Sequence, residues 1–254
     1  MKHPFRVLQT GLDSAYFNMG LDEAILESVT SGSALPTLRF YGWKPPAISL
    51  GYFQGALEEV DTDACRQQGV DVVRRITGGG AVFHDTEVTY SIVIPGSHPL
   101  APASILDSYA LLCSGIVEGL KNLNIDASFA PINDIVAGGR KISGNAQTRK
   151  KGCLLQHGTV LLKVDVEKMF GLLKVPKEKA MGKMIDDVKA RVTSLSALLG
   201  RDVGFEEASD ALREGFLNAL LLDPAEGEPS PRELAAAELL ARTKFSTEAW
   251  IFRR

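Results

Sequence analysis

Along this chain the spacing of apolar residues alternates between steps of three or four and steps of two, which predicts interleaved helices and strands. Over 14–30, Phe17, Leu21, Ala24 and Ile25 recur at helical spacing and Gly32 supplies a stop. Two short strands are predicted within 36–51, broken between Gly42 and Pro46. A short helix over 61–68 ends at Gly69 and runs into the β-rich Val70–Arg75. Residues 87–94 alternate strictly, with Val88, Tyr90, Ile92 and Ile94 on one face. The strongest helical pattern is 104–123, where Ile105, Tyr109, Leu112, Ile116, Leu120 and Leu123 share a stripe and Ser104 with Asp107 forms a cap. A strand-rich block follows over 126–164, with Gly138-Gly139 as its hairpin turn. From 165 onward the chain is predicted to be mainly helical, and Ser230-Pro231-Arg232-Glu233 opens the last helix. Residues 223–231 are the one loop-like stretch of linker length, and too little chain follows them to form a second unit. The expectation is a single α+β domain over 1–254.

Composition narrows the class. A chain of 254 residues, 45% hydrophobic and 23% charged, is an ordinary folded protein that can bury a core without disulfides or metals. Its net charge of −3 argues against a surface devoted to nucleic acid. No run of apolar residues is long enough to span a membrane, and the first residues lack the apolar core of a signal peptide. Cys65, Cys113 and Cys153 are odd in number and widely spaced, which predicts a reducing cytoplasm rather than a disulfide framework or a zinc site.

Three stretches carry candidate chemistry. In Arg74-Arg75-Ile76-Thr77-Gly78-Gly79-Gly80-Ala81-Val82-Phe83-His84-Asp85, successive glycines let backbone N–H groups approach a ligand, and the arginines add donors for anionic oxygens. The same pattern also suits a plain tight turn. Asn133-Asp134 precedes Lys141-Ile142-Ser143-Gly144-Asn145-Ala146-Gln147, where a lysine flanked by small residues can present its ammonium group to an anion. The basic continuation to Lys151 is either a solvated loop or a docking site for an acidic partner. In Gln156-His157-Gly158-Thr159-Val160-Leu161, alternation puts Gln156, Gly158 and Val160 on one face and His157, Thr159 and Leu161 on the other.

Together these stretches resemble the lipoate–protein ligase family, within the biotin/lipoate ligase and octanoyltransferase superfamily. RRITGGGAVFHD, KISGNAQ and QHGTVLL are similar to its signature, its lysine motif and the strand that follows. FNMGLDEA at 17–24, RFYGWKPPAISLGYFQ at 39–54, RVTSL at 191–195 and the closing TKFSTEAWIFRR extend the resemblance over nearly the whole chain. The resemblance implies a mixed, mostly antiparallel sheet flanked by helices, as in class II aminoacyl-tRNA synthetases. It also implies a two-step activity: lipoate and Mg2+-ATP give lipoyl-AMP, whose acyl group passes to a lysine of a lipoyl domain or glycine-cleavage H protein.

In that reading Lys141 contacts the carboxyl–phosphate linkage. The substrate and adenylate pocket takes in Arg75, Thr77, Gly78, Gly79, Gly80, Val82, His84, Asn133, Asp134, Gly144, Ala146, His157, Gly158 and Thr159. Asp134 is the implied magnesium ligand, and the two histidines shape the pocket. Phe40, Val82 and Leu161 are the candidate walls of an apolar acyl tunnel. The segment 174–192 resembles an adenylate-covering loop. The chain stops without the accessory domain that many lipoate ligases carry, so a separate accessory protein is expected. The competing reading is an octanoyltransferase that works through a cysteine thioester without ATP. In that branch the cysteine precedes the Asn133-Asp134 stretch, whereas 124–132 here contains none, and the sequence therefore favours the ligase. A non-enzymatic acyl- or nucleotide-binding module, or an RNA binder using 140–151, is the remaining alternative.

Overall fold

The computed structural model describes residues 2–174 and 178–254, with side chains described outside 178–181. In chain order the elements are β1 (His3–Asp13), α1 (Ala15–Thr30), β2 (Thr37–Trp43), β3 (Ala47–Leu50), α2 (Ala56–Glu59), α3 (Thr62–Gln67), β4 (Asp71–Arg74), β5 (Val82–His84) and β6 (Glu87–Pro95). There follow α4 (Ile105–Asn122), β7 (Ala127–Ala130), β8 (Asp134–Ala137), β9 (Arg140–Lys150), β10 (Cys153–Leu161), α5 (Val166–Phe170) and α6 (Glu178–Arg191). The rest is α7 (Leu195–Leu199), α8 (Phe205–Ala219), β11 (Leu222–Glu226), α9 (Pro231–Leu240), a π-helical turn (Ala241–Phe245) and α10 (Glu248–Ile251). Residues 175–177 of the expected covering loop lie outside the described residues.

An eight-stranded sheet in the order β11-β1-β2-β6-β10-β9-β8-β7 organises the molecule, and a three-stranded sheet β4-β3-β5 stands beside it. β1 pairs in parallel with both β11 and β2, and the remaining pairings of the large sheet are antiparallel. This is the mixed, mostly antiparallel α+β architecture expected. No described helix is long and apolar enough to cross a membrane.

Period-two alternation sends Val88, Tyr90, Ile92 and Ile94 of β6 into one core, where Leu112, Ile116, Leu120, Leu212 and Phe216 of α4 and α8 cover them. The two helices approach closely because glycines meet at their crossing. A Cβ on Gly215 would lie 2.1 Å from the Gly119 nitrogen. On the other face α1 packs with α9, and Gly20 permits it, since a Cβ there would lie 2.6 Å from the Ala237 carbonyl oxygen.

Two elements depart from the expectation. Residues 3–13 form a strand that went unpredicted because only Phe5, Val7 and Leu8 along it are buried. The loop-like stretch 223–231 begins inside an edge strand, Leu222–Glu226, held by pairing with β1; Leu222 is its one buried residue. The turn between β8 and β9 does use Gly138 and Gly139, both at positive φ. Ser230 and Glu233 complete a reciprocal cap at the start of α9.

Candidate functional site

The second face of the sheet is where the polar residues of alternating strands collect. A cleft of about 890 Å3 opens between that face, the glycine loop 78–81 and the α5–α6 region. Gly79, Gly80, Val82, His84, Asn133, Lys141, Gly144, Ala146, His157, Gly158, Thr159 and Leu161 all line it, as does Arg75. Asp134 sits behind Lys141 and holds its Nζ at 2.7 Å, with both side chains partly exposed.

Three expected residues fall elsewhere. Phe40 is fully buried in the apolar core on the opposite face, because it occupies the alternate parity of β2. Thr77 and Gly78 stand behind the cleft wall, their oxygens taken by other protein groups: Thr77 Oγ1 lies 2.7 Å from His157 Nε2, and the Gly78 carbonyl accepts from Arg75.

Local structure explains the placement of Lys141. The β8–β9 ladder slips between Ile135 and Val136, and such a bulge re-aims side chains on the longer strand. Lys141 then reaches over Gly144, where a Cβ would stand 3.0 Å from its Nζ. Asn133 and Asn145 exchange side-chain-to-backbone hydrogen bonds, which fix the turn that delivers Asp134.

Arg75 contacts no carboxylate among the described residues. All five of its N–H groups go to neutral oxygens: Thr77 Oγ1 at 3.1 Å, the Ser49 carbonyl and Oγ at 2.9 and 3.0 Å, and the carbonyls of Gly78 and Gly80 at 2.8 and 2.7 Å. Burial pushes its pKa down to about 10, so it stays charged near neutrality.

Beneath the cleft lies a polar network that sequence reasoning left unassigned. Asp22 on α1 accepts from Arg39 Nη1 at 2.8 Å, Ser91 Oγ at 2.8 Å and Tyr41 OH at 3.0 Å, and its Oδ2 lies 3.5 Å from His157 Nδ1. Its pKa is lowered: desolvation, the largest influence, would raise it, but the His157 hydrogen bond and the Arg39 charge together outweigh that. Burial lowers the pKa of His157 despite the opposing hydrogen bond and charge of Asp22. At the other end Trp43 stacks on His84 at 4.0 Å between ring centroids. His84 bridges Glu87 Oε1 at 2.6 Å and Ser49 Oγ at 2.7 Å. The signal that could have found Asp22, Arg39 and Glu87 was a charged residue inside an otherwise apolar helix or strand, a costly placement unless the charge is paired.

None of the three thiols lies at the cleft. Cys153 Sγ accepts from Thr30 Oγ1 at 3.4 Å and packs with α1. Burial pushes the Cys65 thiol up to about 11 and the Cys113 thiol up to about 12. Among the described residues no group of three or more His, Cys, Asp or Glu could hold a metal ion. One oxygen of Asp134, the expected magnesium ligand, is engaged by Lys141.

A family model of the lipoyl protein ligase A/B catalytic domain matches residues 14–217. Curated relatives named octanoyltransferase LipM include those of Geobacillus kaustophilus, 38% identical over 276 aligned residues, and Bacillus subtilis, 36% identical. Each match covers 100% of this chain and 99% of the relative. Among solved structures, a bipartite lipoate protein ligase from Thermoplasma acidophilum, described with its E2 lipoyl domain, superposes with a TM-score of 0.89 at 32% identity. That match covers 98% of this chain and 96% of the other. An ATP-bound lipoate-protein ligase A gives 0.82 at 31%, covering 99% of both. The full-length relatives carry a transferase name, which overturns the ATP-dependent ligase activity expected from the sequence in favour of its alternative. By profile, sequence and fold together, the chain belongs to the lipoyl protein ligase A/B catalytic-domain family.

Proposed function

We propose that this protein transfers an octanoyl group from a thioester donor to the ε-amine of a lysine on a lipoyl-domain carrier, without ATP. The observation that carries this reading is the cleft itself. Its lining offers Met19, Trp43 and Leu161 to an apolar chain and includes Lys141, paired with Asp134, together with the glycine loop. A volume of about 890 Å3 accommodates a medium acyl chain together with part of its donor. The transferase names of the relatives support the acyl group and the absence of a nucleotide step. The lipoyl domain described with the Thermoplasma protein supports the acceptor.

The cysteine-thioester form of this activity does not fit the geometry, because no cysteine lines the cleft and two of the three thiols are held far from the thiolate form. The transfer is therefore written as direct. The acceptor amine attacks the thioester carbonyl, the C–N bond forms, the C–S bond breaks, and the amine's proton ends on the departing sulfur as a thiol. Lys141 places a positive charge where negative charge develops on the carbonyl oxygen. Asp134 holds that ammonium in place.

The test is incubation with an octanoyl-thioester donor and a lipoyl domain in nucleotide-free buffer, read by intact-mass spectrometry. Octanoylation of the acceptor lysine is expected, lost with Lys141→Ala and retained with Cys113→Ala and Cys153→Ala. A strict requirement for ATP would overturn the transferase reading, and a stable acyl adduct on either cysteine would overturn the direct route.

A further inference from the structure

Arg75 is a buried cation with every donor engaged and no carboxylate among the described residues to balance it. A charge in that setting is costly unless an anion comes near. The residues it grips are the glycine loop, and the grip has a direction. One terminal nitrogen, Nη2, donates to the carbonyls of Gly78 and Gly80 at 2.8 and 2.7 Å and holds them together. In a planar trans peptide the carbonyl and the following N–H point to opposite sides. Pinning these two carbonyls therefore turns the amides of Gly79 and Ala81 away from the guanidinium. No acceptor among the described residues takes either amide, and Gly79, Gly80 and Ala81 all line the cleft.

The loop is also held in register from behind. Tyr52 N donates to the Thr77 carbonyl at 2.9 Å, and a Cβ on Gly51 would lie 1.9 Å from the Gly79 carbonyl oxygen. Across the gap stands Ala146 of β9, whose Cβ is 4.0 Å from where a Cβ of Gly79 would be. Ala146 and Gly144 share a face of that strand, and Gly144 lies under the Lys141 ammonium. The glycine loop and Lys141 thus flank the same opening.

We propose that Arg75 is a positioning residue that builds an oxyanion cradle from the Gly79 and Ala81 amides, which together with Lys141 receive the tetrahedral oxyanion formed as the acceptor lysine attacks. Arg75 touches the loop and acts through it, rather than binding the acyl group. The buried guanidinium, holding the loop by its carbonyls, adds a fixed positive field beside these two amides. The proposal rests on the acyl-transfer reading above.

The experiment compares wild type with Arg75→Lys, which keeps the charge and cannot bridge two carbonyls in the same plane, and Ala81→Pro, which removes one amide and leaves Arg75 in place. Steady-state transfer is measured alongside binding of two inert probes by calorimetry: an octanyl phosphonate, which mimics the tetrahedral oxyanion, and octanamide, which mimics the ground state. Each variant is expected to lose about 100-fold in kcat, the typical cost of one oxyanion donor, with KM and octanamide affinity unchanged. The preference for phosphonate over amide is expected to fall in parallel. Wild-type kcat in Arg75→Lys overturns the proposal. So does a loss confined to KM, or a kcat loss with the probe preference intact, which would mark a merely structural role. If Arg75→Lys unfolds, Ala81→Pro decides alone. If wild type transfers nothing from a thioester, the function above fails, while the probe preference still tests the cradle.

Discussion

The two faces of the large sheet are built from the same strands and could hardly differ more. Along β6, Val88, Tyr90, Ile92 and Ile94 enter a dry core under α4 and α8, while Glu87, Thr89 and Ser91, one residue out of phase, join the hydrogen-bonded floor of the cleft. On β2 the same split separates Leu38 and Phe40 from Arg39, Tyr41 and Trp43. The first face is held mainly by non-directional burial, so its aliphatic residues exchange with others of similar volume; its directional exception is Tyr90, whose OH donates to Asn145 Oδ1 and accepts from Gln156 Nε2, each at 2.7 Å. The wet face is held by directional pairings, so loss of one member strands its partner; Glu87 Oε2 is buried there with no partner among the described residues. The difference is one of tolerance, and it separates stability from function within a single sheet.

The sharpest way to break this contrast is one substitution on each face. Phe216→Ala opens a cavity under α8 and is expected to cost about 3–5 kcal/mol of unfolding free energy, with transfer per folded molecule unchanged. Asp22→Asn leaves the Arg39 guanidinium buried without its anion and is expected to cost about 3–5 kcal/mol as well. It should additionally lower transfer per folded molecule, because His157 and Tyr41 lose their common acceptor. Denaturant titration and activity per folded fraction separate the two; equal loss of specific activity on both faces would refute the division.

A smaller effect sharpens the point that a buried charge pair need not belong to the cleft. Arg6 grips Glu233 with two hydrogen bonds of 2.8 and 2.7 Å where β1 meets α9. Glu233 is 1% exposed, and the Arg6 and Ser230 donors outweigh its desolvation and hold its pKa down at about 2. A carboxylate depressed in the folded state contributes stability above its unfolded pKa and loses it as pH falls towards the folded value. Between the ordinary value of 4.5 and about 2 the wild type should lose roughly 3 kcal/mol from this group. Glu233→Gln should flatten the decline over that window, with transfer at neutral pH unaltered.

The smallest effect belongs to the surface. Arg201 and Glu207 form an ion pair in which both side chains are exposed. Arg201→Ala should leave both the unfolding midpoint and transfer where they are, in line with the small worth of solvated pairs.

The helices were legible because their apolar stripes are long. Residues 14–30 and 104–123 anticipated α1 and α4 to within a residue or two. The central strands were legible because burial on one face makes alternation strict. β1 and β11 were not, since β11 is held at the sheet's edge by pairing with β1, and β1 by pairing with both β11 and β2, and backbone pairing leaves little mark on composition. The cleft was half legible. The glycine loop, Lys141 and the Gln156–Leu161 strand announce themselves by local chemistry, and the structure brings them together. Asp22, Arg39 and Trp43 were harder to assign: a charge inside an apolar element is the one local mark that Asp22 and Arg39 carry, and the partners that give all three their roles lie far away in the chain. The cysteines misdirected in one respect. Their absence from 124–132 was read as evidence for nucleotide chemistry, whereas the full-length relatives are transferases and the alignment with one of them spans 276 positions against 254 residues here.

The sequence by itself determined the alternation of elements, the family and the reactive stretches, because periodicity and short-range spacing are properties of neighbours along the chain. Only the tertiary structure decided which parity of each strand faces the cleft, that Phe40 lies on the dry side, and that the Arg75 guanidinium donates to the carbonyls of the glycine loop. Those outcomes depend on which distant groups arrive at each face, and a buried polar side chain takes its role from the partner that satisfies it.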